Sequence, residues 1–209
     1  MQTRTFLKLV AAASLMFALS ASAFAEEKRP ASPRGSAQTQ VAGSWTDGKY
    51  QGGKWIEIDY GRPIKRQRAN VFGTGKEYGK AITDEAPAWR AGANQTTRLT
   101  TEVPLLFAGK KLPAGAYSLF IELKEGAWTL ALSTQPVQQQ YDSKDTKTTW
   151  GSYNYDPKQD VLRAPMKLST SAHSVDELSY RFLDVTAKGG TLEVAWDKQV
   201  ATVDFTVEE

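Results

Sequence analysis

The chain has 209 residues, with 26 Lys and Arg against 23 Asp and Glu, one histidine and no cysteine. That length suits a single domain with its own core, and the lack of cysteine excludes a disulfide framework and thiolate chemistry. A formal net charge of +3 gives no general electrostatic case for nucleic acid as a partner.

Residues 1–25 read as a secretory signal peptide. Arg4 and Lys8 supply the positive start, Leu9 to Ala21 the apolar centre, and Ala23-Phe24-Ala25 a small-x-small cleavage site. The apolar run is shorter than the roughly 20 residues that span a bilayer. No cysteine follows it, which excludes a lipid anchor at that point. Cleavage after Ala25 would remove two basic residues and no acidic one, lowering the net charge from +3 to +1. The expected location is the periplasm or the extracellular space, and no later segment is long enough to cross a membrane. Residues 26–43, rich in Lys, Arg, Pro, Ser, Ala and Gln, read as a flexible linker. A single domain is then expected over 44–209.

Ser44 to Gly53 places Trp45 and Tyr50 among glycines and suggests an edge strand and turn. Lys54 to Tyr60 alternates, with Ile56, Ile58 and Tyr60 inward, until Gly61-Arg62-Pro63 stops it. Ile64 to Gly79 is basic and punctuated by glycine; its GTGKEYGKA run lacks the spacing and the Ser or Thr of a phosphate loop. Ala81 to Ala88 has room for one helical turn. The loop Trp89 to Asn94 precedes a Thr-rich run, Thr96 to Val103, and Pro113-Ala114-Gly115 turns into a strand over Ala116 to Leu123. There Tyr117, Leu119, Ile121 and Leu123 share one face, and Ser118, Phe120 and Glu122 share the other, which predicts a half-buried strand. Ala127 to Ser133 completes a hairpin with Trp128, Leu130 and Leu132 inward. Gln135 to Thr149 reads as a long excursion loop, of a length that is often functional. Val161 to Thr170 turns Leu162, Ala164, Met166 and Leu168 inward, with Pro165 marking an edge strand. Strands over Glu177 to Val185, Thr191 to Trp196 and Gln199 to Val207 follow, with turns at Gly189-Gly190 and Asp197-Lys198. Short alternating strands with almost no helical periodicity predict an all-β fold, an antiparallel, jelly-roll-like β-sandwich with long loops and little helix.

Four segments together carry a resemblance: IDYGRPIKRQRANVFG (58–73), WRAGANQTT (89–97), AGKKLPAGAYSLF (108–120) and WGSYNYDPKQDVLR (150–163). In this order they resemble the bacterial domain-of-unknown-function family 2911, over nearly the whole chain after the leader. The chain departs from the usual pattern at Ala81 to Ala88, which separates Tyr-Gly-Lys from Trp-Arg. The resemblance implies a fold and an exported location and leaves activity open.

Catalytic chemistry has few candidates. His173 stands alone in a Ser/Thr-rich stretch, so neither a histidine-based triad nor a zinc or copper site is expected. Glu57 with Asp59, and Asp156 with Asp160, are the carboxylate pairs a hydrolase could use, although such pairs are usually solvated. In YDPKQD the simpler role of Asp156 is to start a turn before Pro157. No cofactor and no metal is expected. The richer group is aromatic and basic: Arg62, Trp89, Arg90, Asn94, Trp150, Tyr153, Tyr155 and Asp156. Flat aromatic faces and guanidinium forks suit a glycan or an anionic small molecule. The same side chains could instead pin long loops over the end of the sandwich. A binding or interaction module is therefore the leading functional expectation, and whether the protein is an enzyme stays open. A carboxylate-dependent hydrolase and a structural cell-envelope protein are the alternatives. Either form of the aromatic-basic cluster requires the loops WRAGAN and WGSYNYD to meet in space.

Overall fold

The computed structural model describes residues 29–208; the expected signal peptide and its cleavage site lie outside them. Residues 31–208 belong to one compact unit. Its strands are β1 (Arg34–Val41), β2 (Ser44–Thr46), β3 (Lys49–Gln51), β4 (Lys54–Gly61), β5 (Thr97–Thr101), β6 (Leu105–Phe107), β7 (Lys110–Leu112), β8 (Gly115–Lys124), β9 (Ala127–Ser133), β10 (Asp160–Thr186) and β11 (Gly189–Val207). One short helix, α1 (Lys80–Thr83), falls in the segment with room for a single turn.

Nine strands form an antiparallel sheet in the order β1-β4-β5-β8-β9-β10-β11-β6-β7, and β2 and β3 pair separately. β10 is the strand that turns this sheet into a sandwich. It pairs with β9 over Asp160 to Met166 and with β11 from Lys167 onward. Its register on β11 slips between Thr170 and Val175 and again before Ser179, the local bending that bulges produce. Beyond the slip, the chain leaving β4 fastens onto β10: Lys65 N–H donates to Asp176 O at 2.6 Å, and Leu178 N–H donates to Pro63 O at 3.0 Å. The two layers enclose one core, in which Ile56, Ile58, Leu99, Leu119 and Leu130 meet Leu178, Leu192, Val194 and Phe205.

Several expectations change. The linker expected over 26–43 includes β1, whose eight residues pair in continuous register with β4. Its Gln, Thr and Ser composition suits an edge strand with a wet face. The stretch from 161 to 207 holds two long strands rather than four short ones. The turn between them is at Ala187-Lys188, one step before the glycines, and His173 lies exposed within β10. Asp197-Lys198 is not a turn. Asp197 adopts φ 51° inside β11 opposite Val175, an irregularity within the paired strands. Pro165 sits on a locally open edge, since β11 joins β10 only two residues later, but β10 as a whole is interior. The outer face of β8 is also covered. Ser118 and Phe120 are fully buried, and Phe120 packs with Ala88, Ala131 and Tyr155 in a second, smaller core. The connection between β9 and β10 brings in Tyr155, a long-range effect that alternation within β8 cannot reveal.

Candidate functional site

The site is built where the exit of β4 meets the loop WRAGAN. A Cβ on Gly61 would lie 1.9 Å from Ala93 O, so only glycine allows this approach, and Ala93 N–H donates to Gly61 O at 3.0 Å. Trp89 continues the line of β5 beside β8, exchanging two backbone hydrogen bonds with Ile121 at 2.9 and 2.8 Å. Left-handed Ala91 and Asn94 (φ 46° and 61°) then curl the loop back. Ala91 O is fixed by the Tyr180 hydroxyl, which donates at 2.8 Å. Trp89 is 1% exposed and belongs to the core. Its ring stacks on Trp196 at 6.0 Å and meets Phe72 and Trp128 edge-on. It is therefore not a free stacking platform; it forms part of a wall.

That wall bounds a cavity of about 590 Å³ between the segment 63–68, α1 and the loop 89–93. Four cationic residues line it, Lys65, Arg66, Arg68 and Arg90, against one carboxylate among the described residues, Asp84. Three of the cations are tied into the fold. Lys65 Nζ donates to Asp197 Oδ1 at 2.6 Å, a largely buried ion pair, and to the Ser174 hydroxyl at 2.8 Å. Those contacts hold the Asp197 carboxyl below its ordinary range: burial pushes it up, and the bonds from Lys65 and Ser174 overcome that. Arg68 donates to the carbonyls of Lys65 and Ile64 at 2.9 and 3.0 Å and lies 5.2 Å over the Trp196 ring. Arg66 reaches Ala31 O at 2.5 Å from a left-handed turn at φ 49°.

Arg90 is different. It is half-buried and its Nε has no hydrogen-bond partner, and no carboxylate among the described residues pairs with it within 4.0 Å. Burial pulls its pKa below the ordinary arginine value, while Tyr153 and Asp84 act in the opposite sense. Its guanidinium abuts the WGSYNYD loop: a Cβ on Gly151 (φ 62°) would stand 2.7 Å from Arg90 Nη1 and 3.0 Å from Asn94 O. Thr96 Oγ1 donates to Gly151 O at 2.9 Å. The loops WRAGAN and WGSYNYD therefore touch, as a cluster of either kind requires.

The expected site residues do not all gather there. Arg90 and Trp89 line the cavity, and Tyr153 stands at its rim, its hydroxyl donating to Asp84 Oδ2 at 3.0 Å. Asn94 is exposed and its amide lies 3.4 Å from Ser32 O, while Arg62 pairs with Glu177 at 3.3 Å. Trp150 leans on Tyr141, 6.1 Å between ring centres. Tyr155 belongs to the outer core, 4.2 Å from Phe120, and its hydroxyl donates to Asp160 Oδ2 at 2.7 Å. Burial, then that bond, push the Tyr155 hydroxyl well above its usual pKa. Asp156 accepts from Lys158 N–H at 3.0 Å and starts a turn of 3-10 helix. It is not the partner of Arg90.

The carboxylate pairs are likewise accounted for locally. Glu57 accepts from Gln38 at 2.7 Å, and Asp59 lies 4.0 Å from Arg34 on the edge. Asp160 and Glu122 both bind Arg163. Among the described residues no three His, Cys, Asp or Glu come together as a metal group would require, and no helix is long and apolar enough to cross a membrane. The residues missing from the sequence-based set are Lys65, Arg66, Arg68, Asp84 and Trp196. The density of basic residues from Arg62 to Arg68 was the available signal; the phosphate-loop reading concerned the later run Gly73 to Ala81.

Fold and site together describe a β-sandwich carrying a basic cavity with a tryptophan wall at one closure of its layers. The chain belongs to a family whose model, described as "Protein of unknown function (DUF2911)", matches residues 43–205. No curated protein and no solved structure matches it.

Proposed function

We propose that this protein is a binding module for a small anionic molecule, held in the cavity between residues 63–68, α1 and the loop 89–93, and that it works after export from the cytoplasm. Arg90 carries the reading. A guanidinium in a cavity wall, partly desolvated and without a paired carboxylate, is costly in the empty state. A carboxylate or phosphate would supply the missing charge and accept from its fork. Arg66 and Arg68 add positive charge to the same walls, while the charge of Lys65 is met by its ion pair with Asp197; among the described residues Asp84 is the one carboxylate in the lining. The cavity lies within the size range of small-molecule sites, and its lining is dominated by cationic groups backed by the buried Trp89 and Trp196. The carboxylate hydrolase has less support, because Asp84 stands alone in the cavity and the other acidic pairs are engaged elsewhere.

A thermal-shift panel of phosphate, citrate, hexuronates and phosphosugars tests the proposal. An anion present at a hundred times its Kd should stabilise the fold by about 2.7 kcal/mol. Neutral analogues of the same size should leave Tm unchanged. No shift with any anion would count against the reading.

A further inference from the structure

A second site is mounted on the β2–β3 hairpin, away from the basic cavity. These two strands form their own sheet, with Trp45 opposite Tyr50. Tyr50 is wedged in place: a Cβ on Gly43 would lie 2.4 Å from its ring and one on Gly53 would lie 2.5 Å away. Both glycines are required so that the ends of the hairpin can close on that ring. Trp45 leans on Tyr50, 5.9 Å between ring centres, yet is 74% exposed. A large apolar side chain is thus held on a fixed support and presented to solvent, at a cost in hydration that the core does not recover.

Beneath it lies a cavity of about 340 Å³, bounded by Gln40, Gly43, Ser44, the end of β10 at Val185 and Thr186, and Ala187 of the following turn. Among the described residues no charged side chain lines it. No described residue hydrogen-bonds the Gln40 amide, the Ser44 hydroxyl or the Trp45 indole N–H, so donors and acceptors are available beside a flat aromatic face. An anion would find no counter-charge here. A membrane surface would meet Asp47, Gly48 and Lys49 at the hairpin tip, where apolar side chains would be needed. A neutral sugar fits both halves of the lining. The C–H face of a pyranose packs on indole, and its hydroxyls pair with an amide and a hydroxyl.

We infer that the Trp45–Tyr50 hairpin and the uncharged cavity beside it bind a neutral saccharide, independently of the anion site. Affinity electrophoresis of the purified protein in native gels containing a β-glucan, a mannan, starch or alginate tests this. Retardation is expected with at least one neutral polymer. Trp45→Ala should weaken it roughly tenfold or more, as removal of an aromatic anchor does, with Tm unchanged. Trp45→Tyr should keep most of the binding, and Arg90→Met all of it. The inference is overturned if no neutral polymer retards the protein, if alginate alone does, or if Trp45→Ala binds as well as wild type. Sedimentation with lipid vesicles that is lost in Trp45→Ala, without retardation by sugars, would reassign the hairpin to membranes.

Discussion

Replacing Arg90 by methionine separates a binding residue from a structural strut. A strut would be bonded, and its loss would leave partners unsatisfied. Among the described residues Arg90 has no partner for its Nε and no paired carboxylate within 4.0 Å, and burial already lowers its pKa. A buried, unpartnered polar atom costs about 1–3 kcal/mol, and a partly buried charge without a counter-charge adds a desolvation cost that an apolar side chain does not carry. Methionine retains the apolar stem that packs against Gly151. Since Arg90 is only half-buried, the expected gain is at the lower end, about 1–2 kcal/mol. For a domain of this size that is roughly 2–8 °C in Tm. Urea melts and calorimetry of wild type and Arg90→Met would measure it. A loss of more than about 1 kcal/mol would refute the reasoning, because Arg90 would then be holding the two loops together.

The ion pair behind the cavity should behave oppositely. Asp197→Asn, which leaves Lys65 facing a neutral amide in a largely buried place, should cost about 3 kcal/mol. Asp204→Asn, which breaks the exposed pair with Lys167, should cost no more than about 1 kcal/mol in the same denaturant melts. Because the folded Asp197 carboxyl lies below its unfolded value of 3.8, the unfolded chain holds that proton more tightly. Its contribution is therefore present above about pH 4 and fades as pH falls through the folded value; a pH series in which Asp197→Asn loses the same stability at pH 7 and pH 2 would contradict this. Leu119→Ala and Phe205→Ala, both in the core, should cost about 2–5 kcal/mol, against about 0.5 kcal/mol for exposed Thr206→Ala. Intact-mass analysis of protein from the cell envelope should give a chain beginning at Glu26; a mass that retains residues 1–25 would contradict export with cleavage.

Much of the fold was legible because alternation is a local property. Ile56, Ile58 and Tyr60, or Leu192, Val194 and Trp196, show their inward face within a few residues, and the core contains all of them. What failed depends on distant parts of the chain. Phe120 is buried by Tyr155, 35 positions away, and Asp197 forms an irregularity within a strand because Val175 continues opposite it. β1 lacks the apolar signature of a strand because only one face of an edge strand needs to be dry. The candidate site was legible in part. Arg90 and the meeting of the two loops follow from turns rich in glycine and aromatics, whereas the burial of Trp89 in the central core does not. Nothing in WRAGAN shows that Phe72, Trp128 and Trp196 converge on that indole. Lys65, Arg66 and Arg68 were visible as charges, but their common cavity depends on the chain after β4 fastening to β10.

The most direct test of the anion-binding account is isothermal titration of the strongest anion from the panel into wild type, Arg68→Met and Arg90→Met, at low and at physiological salt. Binding to wild type should weaken as salt screens the cavity charges. Arg90→Met should lose at least tenfold in affinity while remaining as stable as wild type or more so, with a smaller loss for Arg68→Met. Equal affinity in wild type and Arg90→Met would contradict the account, since the cation in the cavity that has no partner among the described residues would then have no part in holding the ligand.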